Sequence, residues 1–370
     1  MKPTDVVIIG AGVLGCATAL ELARRGRTVR VLERSVPGAE ASSAAAGMLA
    51  AQVEAHNPSP FVELCTAGRE RFGPWAAELA RRTGIDIEHR TCGILKFTLE
   101  GEDSTALRKH ASWQREAGLD VALLDRKQAL ELEPELSPRV DFAVHYPRDA
   151  RVDPPRLLRA LRIGAERAGA HFSTGATVRR VVEEGGRARG VELDGGERVD
   201  AGLVVLAAGS WSSQVGGVPL PAASIRPARG QVVELTSPVP RTRGIVWGTR
   251  GYLCPRDDGR VLVGSTLEFV GYERAVTARA VRDLLDGALT AIPALASAEL
   301  SRTWAAFRPY TPHELPFIGE SGTPGLLLAT GHYRNGILLA PITAEIVAAI
   351  ALGERPPIDP SPYTPAAALA

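Results

Sequence analysis

The sequence opens on a run of β-branched residues followed at once by three closely spaced glycines, and this feature constrains the fold more than any other. Residues 6–9 read VVII, which is typical of a buried parallel strand. The turn GAGVLG at 10–15, a helical segment at 17–25 and a second strand at 28–32 follow directly. Together they predict one βαβ unit with a right-handed crossover.

The three glycines have the spacing of a dinucleotide-binding turn. Gly10 permits the tight turn, Gly12 lets the backbone approach a pyrophosphate, and Gly15 allows the helix to pack closely on the strand. The free amides and dipole at the helix start favour a phosphate. Glu33 follows at the end of the second strand, where a carboxylate can accept hydrogen bonds from ribose hydroxyls, so NADP is disfavoured. NAD and FAD both remain open on this evidence.

The rest of the sequence predicts further helices and strands. Helices are predicted at 61–83, 102–117, 126–133, 154–167, 277–291 and 342–352. Strands are predicted at 93–99, 170–172, 202–208, 231–235, 251–255, 261–266 and 326–329, with a hairpin at 177–184 and 188–193.

The predicted fold class is α/β, with the nucleotide-binding pieces divided among the start, middle and end of the chain. We predict a Rossmann-like cofactor domain from residues 1–60, 145–215 and 305–370. A discontinuous α+β substrate domain, built on an antiparallel sheet, is predicted from 61–144 and 216–304.

Composition narrows the class of protein further. The net charge is +1 with scattered Lys and Arg, which argues against a nucleic-acid partner. The four cysteines have neither metal-ligand nor disulfide-framework spacing, so we expect no metal and a reduced, cytoplasmic protein. The apolar stretch at 336–353 is interrupted by Pro341 and Glu345, and we predict no membrane span.

Five motifs together resemble the D-amino acid oxidase-like, FAD-dependent oxidoreductases, and among them the glycine oxidases associated with thiamine biosynthesis. The motifs are GAGVLG with Glu33, SSAAAGML at 42–49, DARVDPPRLLRAL at 149–161, VVLAAGSWS at 204–212 and ATGHYRNGILLAPITA at 329–344. The resemblance extends over residues 4–353 and implies that the cofactor domain binds FAD.

The resemblance implies the cofactor-binding residues. They are Gly10, Gly12, Val13, Leu14, Gly15, Glu33, Arg34, Ser42, Ser43, Ala46, Gly47, Met48, Val178, Gly209, His332, Tyr333, Arg334, Asn335, Gly336, Ile337 and Leu338. Some sarcosine oxidases carry a flavin-linked cysteine near the segment that here reads Ala305, Ala306 and Phe307, so non-covalent FAD is predicted.

Three residues are predicted to bind and orient the substrate. Arg308 matches the family's carboxylate-binding arginine, Tyr252 a tyrosine whose hydroxyl reaches the same carboxylate, and Arg334 the second arginine of the substrate site. Arg250 and Leu267 depart from the family pattern, in which a histidine and a methionine are expected, and this leaves the breadth of substrates open.

The predicted reaction is oxidative deamination of glycine, sarcosine or a small D-amino acid, by hydride transfer to the flavin. Oxygen is the expected acceptor, which gives hydrogen peroxide, and the imine hydrolyses or passes to the thiazole synthase machinery. His313 and His332 are not needed as bases. We expect a homo-oligomer.

Three alternatives stay open from the sequence. The first is a dehydrogenase of the same fold with a quinone acceptor. The second is a different substrate, such as a bulkier D-amino acid, proline or an N-alkylated glycine. The third is a non-catalytic FAD- or nucleotide-binding protein.

Overall fold

The computed structural model describes residues 4–55, 57–238 and 242–369. Its strands are β1 (Val6–Ile9), β2 (Val29–Glu33), β3 (Met48–Leu49), β4 (Ile94–Leu99), β5 (Ala122–Asp125), β6 (Val140–Tyr146), β7 (Ala150–Arg151), β8 (His171–Thr174), β9 (Val178–Glu184), β10 (Arg187–Leu193), β11 (Arg198–Asp200), β12 (Leu203–Leu206), β13 (Arg226–Thr236), β14 (Ile245–Gly248), β15 (Gly251–Pro255), β16 (Arg260–Gly264), β17 (Glu299–Tyr310), β18 (Phe317–Glu320) and β19 (Leu326–Thr330).

The helices are α1 (Val13–Arg24), α2 (Ala41–Ala44), α3 (Pro60–Thr83), α4 (Thr105–Glu116), α5 (Arg126–Leu132), α6 (Pro154–Arg167), α7 (Ala278–Ala291), α8 (Ala340–Leu352) and α9 (Pro365–Ala368). Short 3₁₀ turns occupy Gly209–Gln214, Pro293–Ser297 and Ser361–Tyr363.

A six-stranded sheet in the order β18-β19-β12-β1-β2-β8 forms the first half of the fold. Its strands are parallel except for β18, which runs antiparallel to β19. Strand β1 lies between β2 and β12, so a segment near residue 6 pairs with one near residue 203. The predicted Rossmann-like sheet, assembled from three separate stretches of the chain, is confirmed.

Alternating side chains of this sheet contact two different layers, as the period of two in a strand requires. Val6 and Ile8 face a core shared with α1, α3, α6 and α8. Val7 and Ile9 face a second core, shared with the three-stranded sheet β11-β10-β9. Helices therefore cover one face of the parallel sheet, and a small antiparallel sheet covers the other.

An eight-stranded sheet in the order β17-β13-β16-β15-β14-β4-β6-β5 forms the second half of the fold. All its neighbours are antiparallel except β14 and β4, which run parallel. Helix α7 packs on one face through Leu284 and Ala288. The opposite face carries Tyr252 and Cys254, and it packs against the loop that holds Ala46 and Ala50.

Several elements differ from the sequence prediction. No strand was predicted at β6 or β17, and β13 begins five residues earlier than expected, at Arg226 rather than Gln231. The boundary placed at residue 305 falls inside β17, which pairs with β13 along its whole length. Helix α3, placed in the substrate domain, packs against α6 and α8 beside the parallel sheet. The division into two domains stays a prediction.

Helix α1 lies so close to the turn before it that Gly15 has no room for a side chain. A Cβ atom there would stand 1.9 Å from the carbonyl oxygen of Gly10. We expect Gly15→Ala to lower the free energy of unfolding by several kcal/mol, since overpacking alone costs ~1–3 kcal/mol and backbone is the clashing partner. Urea denaturation would measure the change.

The matched control is Gly164→Ala in helix α6, where the nearest atom to a Cβ atom would be Leu20 Cδ1 at 3.5 Å, an ordinary van der Waals contact. That variant should be stabilised by about 0.5–1 kcal/mol, because alanine loses less backbone entropy than glycine in a helix. Equal effects of the two alanines would contradict the packing argument.

Candidate active site

A cavity of about 720 Å³ lies where the carboxyl ends of the parallel strands meet the open face of the eight-stranded sheet. Ile9, Leu32 and Ala207, at the ends of β1, β2 and β12, line one part of it. Tyr252 and Arg308, from β15 and β17, line the other. Ligands of open parallel sheets bind at this edge, and ligand pockets are commonly ~300–1,000 Å³.

The glycine turn has the backbone geometry that a pyrophosphate site requires. Gly10 has a φ of +99°, and a Cβ atom on it would lie 2.6 Å from the carbonyl oxygen of Ala207. Gly12 is the N-cap of α1 and has no side chain with which to cap the helix, and among the described residues Ser42 Oγ accepts only from the amide of Val13. The first amides of α1 and its dipole therefore face the cavity beside Val13 and Leu14.

Glu33 lies at the end of β2, as predicted, and its carboxylate already holds the turn. Its Oε2 accepts a hydrogen bond from the amide of Ala11 at 2.9 Å, and its Oε1 accepts one from the amide of Ser35. Arg34 beside it pairs with Glu40 at 2.8 Å and stacks on the Trp211 ring at 3.8 Å. This end of the cavity also contains Val178.

The loop of small residues at 41–48 crosses the cavity and is anchored from behind. The amide of Val13 donates to Ser42 Oγ at 3.0 Å, which ties the loop to helix α1. The Trp304 Nε1 donates to the carbonyl of Ala44 at 3.0 Å, and the buried Arg256 donates to that of Ala46. The loop is therefore a fixed wall of the cavity.

Arg308 and Tyr252 meet at the far end of the cavity because the neighbouring strands carry glycine. A Cβ atom on Gly230 of β13 would lie 2.3–2.5 Å from the Arg308 guanidinium. One on Gly264 of β16 would lie 2.4 Å from the Tyr252 hydroxyl oxygen. Each long side chain thus lies flat across the next strand, and this placement brings both polar groups to the same point.

Both groups are held in a low-dielectric environment. Arg308 donates from Nη1 to the carbonyl of Thr266 at 3.2 Å and from Nη2 to Ser265 Oγ. Burial lowers the pKa of Arg308 and raises the pKa of Tyr252. Arginine nonetheless stays charged and tyrosine protonated at neutral pH, and each donates to anions. The pair is suited to bind a carboxylate.

The segment after β19 reaches the same end of the cavity. Tyr333 has a φ of +46° and packs edge-on against Tyr310, with ring centroids 5.1 Å apart. Arg334 is exposed on the cavity rim and donates from Nη1 to Glu54 Oε1 at 3.2 Å. His332 is buried, and its Nε2 lies 3.0 Å from the Thr343 hydroxyl in α8.

The cavity brings together most of the residues that the sequence singled out. Its lining includes Gly10, Gly12, Val13, Leu14, Glu33, Arg34, Ser42, Ala46, Gly47, Met48, Val178, Gly209, Tyr252, Arg308, His332, Tyr333, Arg334, Gly336 and Ile337. Arg250 and Leu267, the two departures from the family pattern, line it as well.

Four predicted cofactor residues do not line the cavity, namely Gly15, Ser43, Asn335 and Leu338. Gly15 contributes by packing against Gly10. Leu338 is buried in the core that the parallel sheet shares with helices α1, α3, α6 and α8. Asn335 donates its amide to the carbonyl of His332 at 2.8 Å and so shapes the turn.

Sequence reasoning missed several lining residues, among them Glu54, Trp247 and Ser265. Trp211 also lines the cavity, and it could have been found because it lies in the motif VVLAAGSWS. Glu54 has no such local signal.

The residues of the cavity fit an FAD. The glycine cradle and the helix start suit a pyrophosphate, Glu33 suits a ribose, and the small-residue loop leaves space for an extended cofactor. Among the described residues that line the cavity there is no cysteine. The described residues also contain no group of three or more His, Cys, Asp or Glu side chains that could hold a metal ion.

The fold and this cavity define a dinucleotide-dependent oxidoreductase of the flavoprotein type. Residues 5–350 match the family described as FAD dependent oxidoreductase, abbreviated DAO. The chain belongs to this family, and FAD is its cofactor.

Within the family, the chain is similar to glycine oxidases. It is 36% identical to the glycine oxidase of Geobacillus kaustophilus over 364 residues, which cover 97% of this chain and 96% of that one. The crystal structure of glycine oxidase from Geobacillus kaustophilus superposes with a TM-score of 0.92 at 35% identity, and 98% of each chain is covered.

Other relatives are longer than this chain. It is 36% identical over 362 residues to a protein of Synechocystis named bifunctional protein ThiO/ThiG, which covers 95% of this chain. The chain spans about half the length, 52%, of that relative. No helix among the described residues is long and apolar enough to cross a membrane.

The buried His332 makes stability depend on pH. Burial lowers its pKa to about 3, so it stays neutral in the folded protein, while the unfolded chain binds a proton below pH ~6.5. The folded state is therefore destabilised as the pH falls. From pH 7 to pH 5 this histidine should remove about 2 kcal/mol from the free energy of unfolding.

Urea titrations at the two pH values, for wild type and His332→Gln, would measure this contribution. The substitution should abolish about 2 kcal/mol of the difference between the two pH values. The exposed His313 provides the control, and His313→Gln should leave that difference unchanged. A wild-type stability that does not fall more steeply than that of His332→Gln would refute the assignment.

Proposed function

We propose that this chain catalyses the oxidative deamination of glycine or another small amino acid, including sarcosine and small D-amino acids. The observation that carries the proposal is the Arg308–Tyr252 pair at one end of a cavity whose other end suits the nucleotide part of FAD. Similarity to glycine oxidases along nearly the whole chain supports the same substrate class.

The protein's own part in this reaction is binding and orientation. The Arg308 guanidinium has further N–H groups beyond those directed at Thr266 and Ser265, and these can form parallel, charge-assisted bonds with a carboxylate. The Tyr252 hydroxyl adds a third donor. With the carboxylate fixed at this point, the α-carbon is held in one orientation, and orientation alone contributes much of the rate.

Arg334 assists from the rim, where its positive charge adds to that of Arg308. FAD, when bound, supplies the two-electron acceptor for the α-hydrogen and passes the electrons to molecular oxygen, which leaves as hydrogen peroxide. His332 is buried and neutral, and its position against Thr343 favours a structural role rather than that of a base.

We further propose the fate of the product, the location of the enzyme and its oligomeric state. The imine product hydrolyses or is passed to the thiazole synthase machinery of thiamine synthesis, and relatives named bifunctional protein ThiO/ThiG support this link. A cytoplasmic location and a homo-oligomer are also proposed. Gel filtration with light scattering tests the oligomer.

Arg308→Ala should raise the KM for glycine by about a hundredfold or more, because it removes a bidentate, charge-assisted contact. FAD should stay bound. The measurement is peroxide production from a panel of small amino acids, with oxygen uptake recorded in parallel. Substrate-dependent flavin reduction without oxygen uptake would favour a dehydrogenase.

Gly230→Ala tests the same site without removing any polar group. The three atoms nearest the added methyl group all belong to the Arg308 guanidinium, so the substitution should displace this group from its position, and KM should rise about tenfold while FAD stays bound. Gly195→Ala, in an open turn, is the control. Unchanged KM in both Arg308→Ala and Gly230→Ala would remove the basis of the proposal.

We also propose that FAD is held without a covalent bond, since the described lining of the cavity contains no cysteine. Acid precipitation should therefore release all of the yellow colour into the supernatant. Colour that stays in the washed pellet would contradict this.

A further inference from the structure

One acidic side chain stands at the substrate end of the cavity, and the proposed function does not use it. Four acids line the cavity in the described part of the chain: Glu33, Glu40, Asp194 and Glu54. Glu33 and Glu40 bind the glycine turn and Arg34, and Asp194 pairs through its amide with Thr177 at the nucleotide end. Glu54 alone lies beside Arg334.

Glu54 lies within electrostatic reach of the carboxylate-binding pair. Burial lowers the pKa of Arg308, and the negative charge of Glu54 opposes that shift. Burial likewise raises the pKa of Tyr252, and Glu54 adds to this increase. A carboxylate therefore lies close to the point where a substrate carboxylate is expected to bind.

The contact with Arg334 leaves the Glu54 carboxylate with acceptor capacity. Arg334 Nη1 approaches Oε1 at 3.2 Å, and the Glu54 side chain is only 18% exposed. An ionised carboxylate has about four acceptor sites on its two oxygens. An amine nitrogen can therefore bind Glu54 while the ion pair remains in place.

The backbone on the near side of Glu54 is held by a buried ion pair. The amides of Gln52 and Val53 donate to the Asp149 carboxylate, at 3.3 and 3.1 Å. Arg69 donates from Nη1 to Asp149 Oδ1 at 2.8 Å and to Gln52 Oε1 at 2.7 Å. Asp149 and Arg69 are 0% and 5% exposed.

The far side is fixed in the same way. Gln114 Nε2 donates to the carbonyl of Ala55 at 3.3 Å, and the His110 ring nitrogen contacts the same carbonyl oxygen. Buried polar networks of this kind hold one conformation because each broken contact leaves an unsatisfied group. The Glu54 carboxylate is thus presented to the cavity by a rigid support.

We propose that Glu54 binds the amine nitrogen of the substrate, so that the cavity recognises both ends of an amino acid. Arg308 and Tyr252 bind the carboxylate, and Glu54 accepts a hydrogen bond from the N–H group at the other end. This inference rests on the proposed function. It makes Glu54 a determinant of specificity for amines over simple carboxylic acids.

The test compares a ligand that has an amine with one that has none. Holoenzymes of wild type, Glu54→Gln and Glu345→Gln are reduced anaerobically with glycine and with sarcosine, and flavin bleaching gives a dissociation constant and a limiting rate. Acetate, which has only the carboxylate, is measured as a competitive inhibitor. Glu345 is the matched control, since it pairs with Arg71 at 2.7 Å and does not line the cavity.

Glu54→Gln should weaken the binding of glycine and sarcosine by about tenfold to a hundredfold, the range for a hydrogen bond to a charged group. The acetate inhibition constant should stay close to that of wild type. Glu345→Gln should change neither value. Equal weakening of acetate and glycine, or unchanged glycine binding, would overturn the proposal.

A second background separates a direct role from one that acts through the ion pair. In Arg334→Met, Glu54→Gln should still weaken glycine binding selectively over acetate. Loss of that selectivity would show that Glu54 acts only by holding Arg334, and the proposal would fail while the proposed function stands. If no amine bleaches the wild-type flavin, the proposed function itself fails and this inference with it.

Discussion

The structure depends on one close contact, the approach of helix α1 to the turn that precedes it. The Cβ position of Gly15 lies on the carbonyl of Gly10, and Gly10 itself lies against Ala207 at the end of β12. Helix α1 then packs against both α6 and α8. Because these contacts join segments from the start, middle and end of the chain, the glycine turn fixes the sheet edge as well as the phosphate cradle.

At the substrate end of the cavity, glycines also allow a close approach, but here the approaching atoms belong to side chains rather than to the backbone. Arg308 and Tyr252 cross neighbouring strands where Gly230 and Gly264 leave space. A long polar side chain that lies flat on a sheet loses its freedom to rotate, and so it is preorganised for a ligand. Glycines therefore leave the space that shapes both ends of the cavity. Backbone atoms fill this space at the glycine turn, and the side chains of Arg308 and Tyr252 fill it at the substrate end.

An element could be predicted from the sequence when the interactions that form it join residues close together along the chain. The β1–α1–β2 unit and helix α3, which ends before Gly84, were recognisable because their signals lie within a few residues. Strand β17 was missed, since its first four residues are exposed, three of them are polar, and they show no clear alternation. Its identity as a strand comes from pairing with β13, which lies some 75 residues earlier in the chain.

The same distinction between local signals and long-range contacts applies to the residues of the site. Arg308 and Tyr252 were found through motifs, but no motif reports that two glycines on other strands make room for them. Glu54 was missed because its importance comes from an ion pair with a residue 280 positions away and from the network around Asp149. Such contacts exist only once the chain is folded.

The strands of the parallel sheet come from distant parts of the sequence, and this affects how the chain folds while it is being synthesised. Strand β1 is synthesised about 200 residues before its neighbour β12, and β19 and α8 follow more than 100 residues later still. Native contacts so distant in sequence make folding slow, because large loops must close before any pairing is rewarded. The cavity can close around FAD only after β19 and α8 have left the ribosome, so cofactor binding should follow the synthesis of this entire stretch.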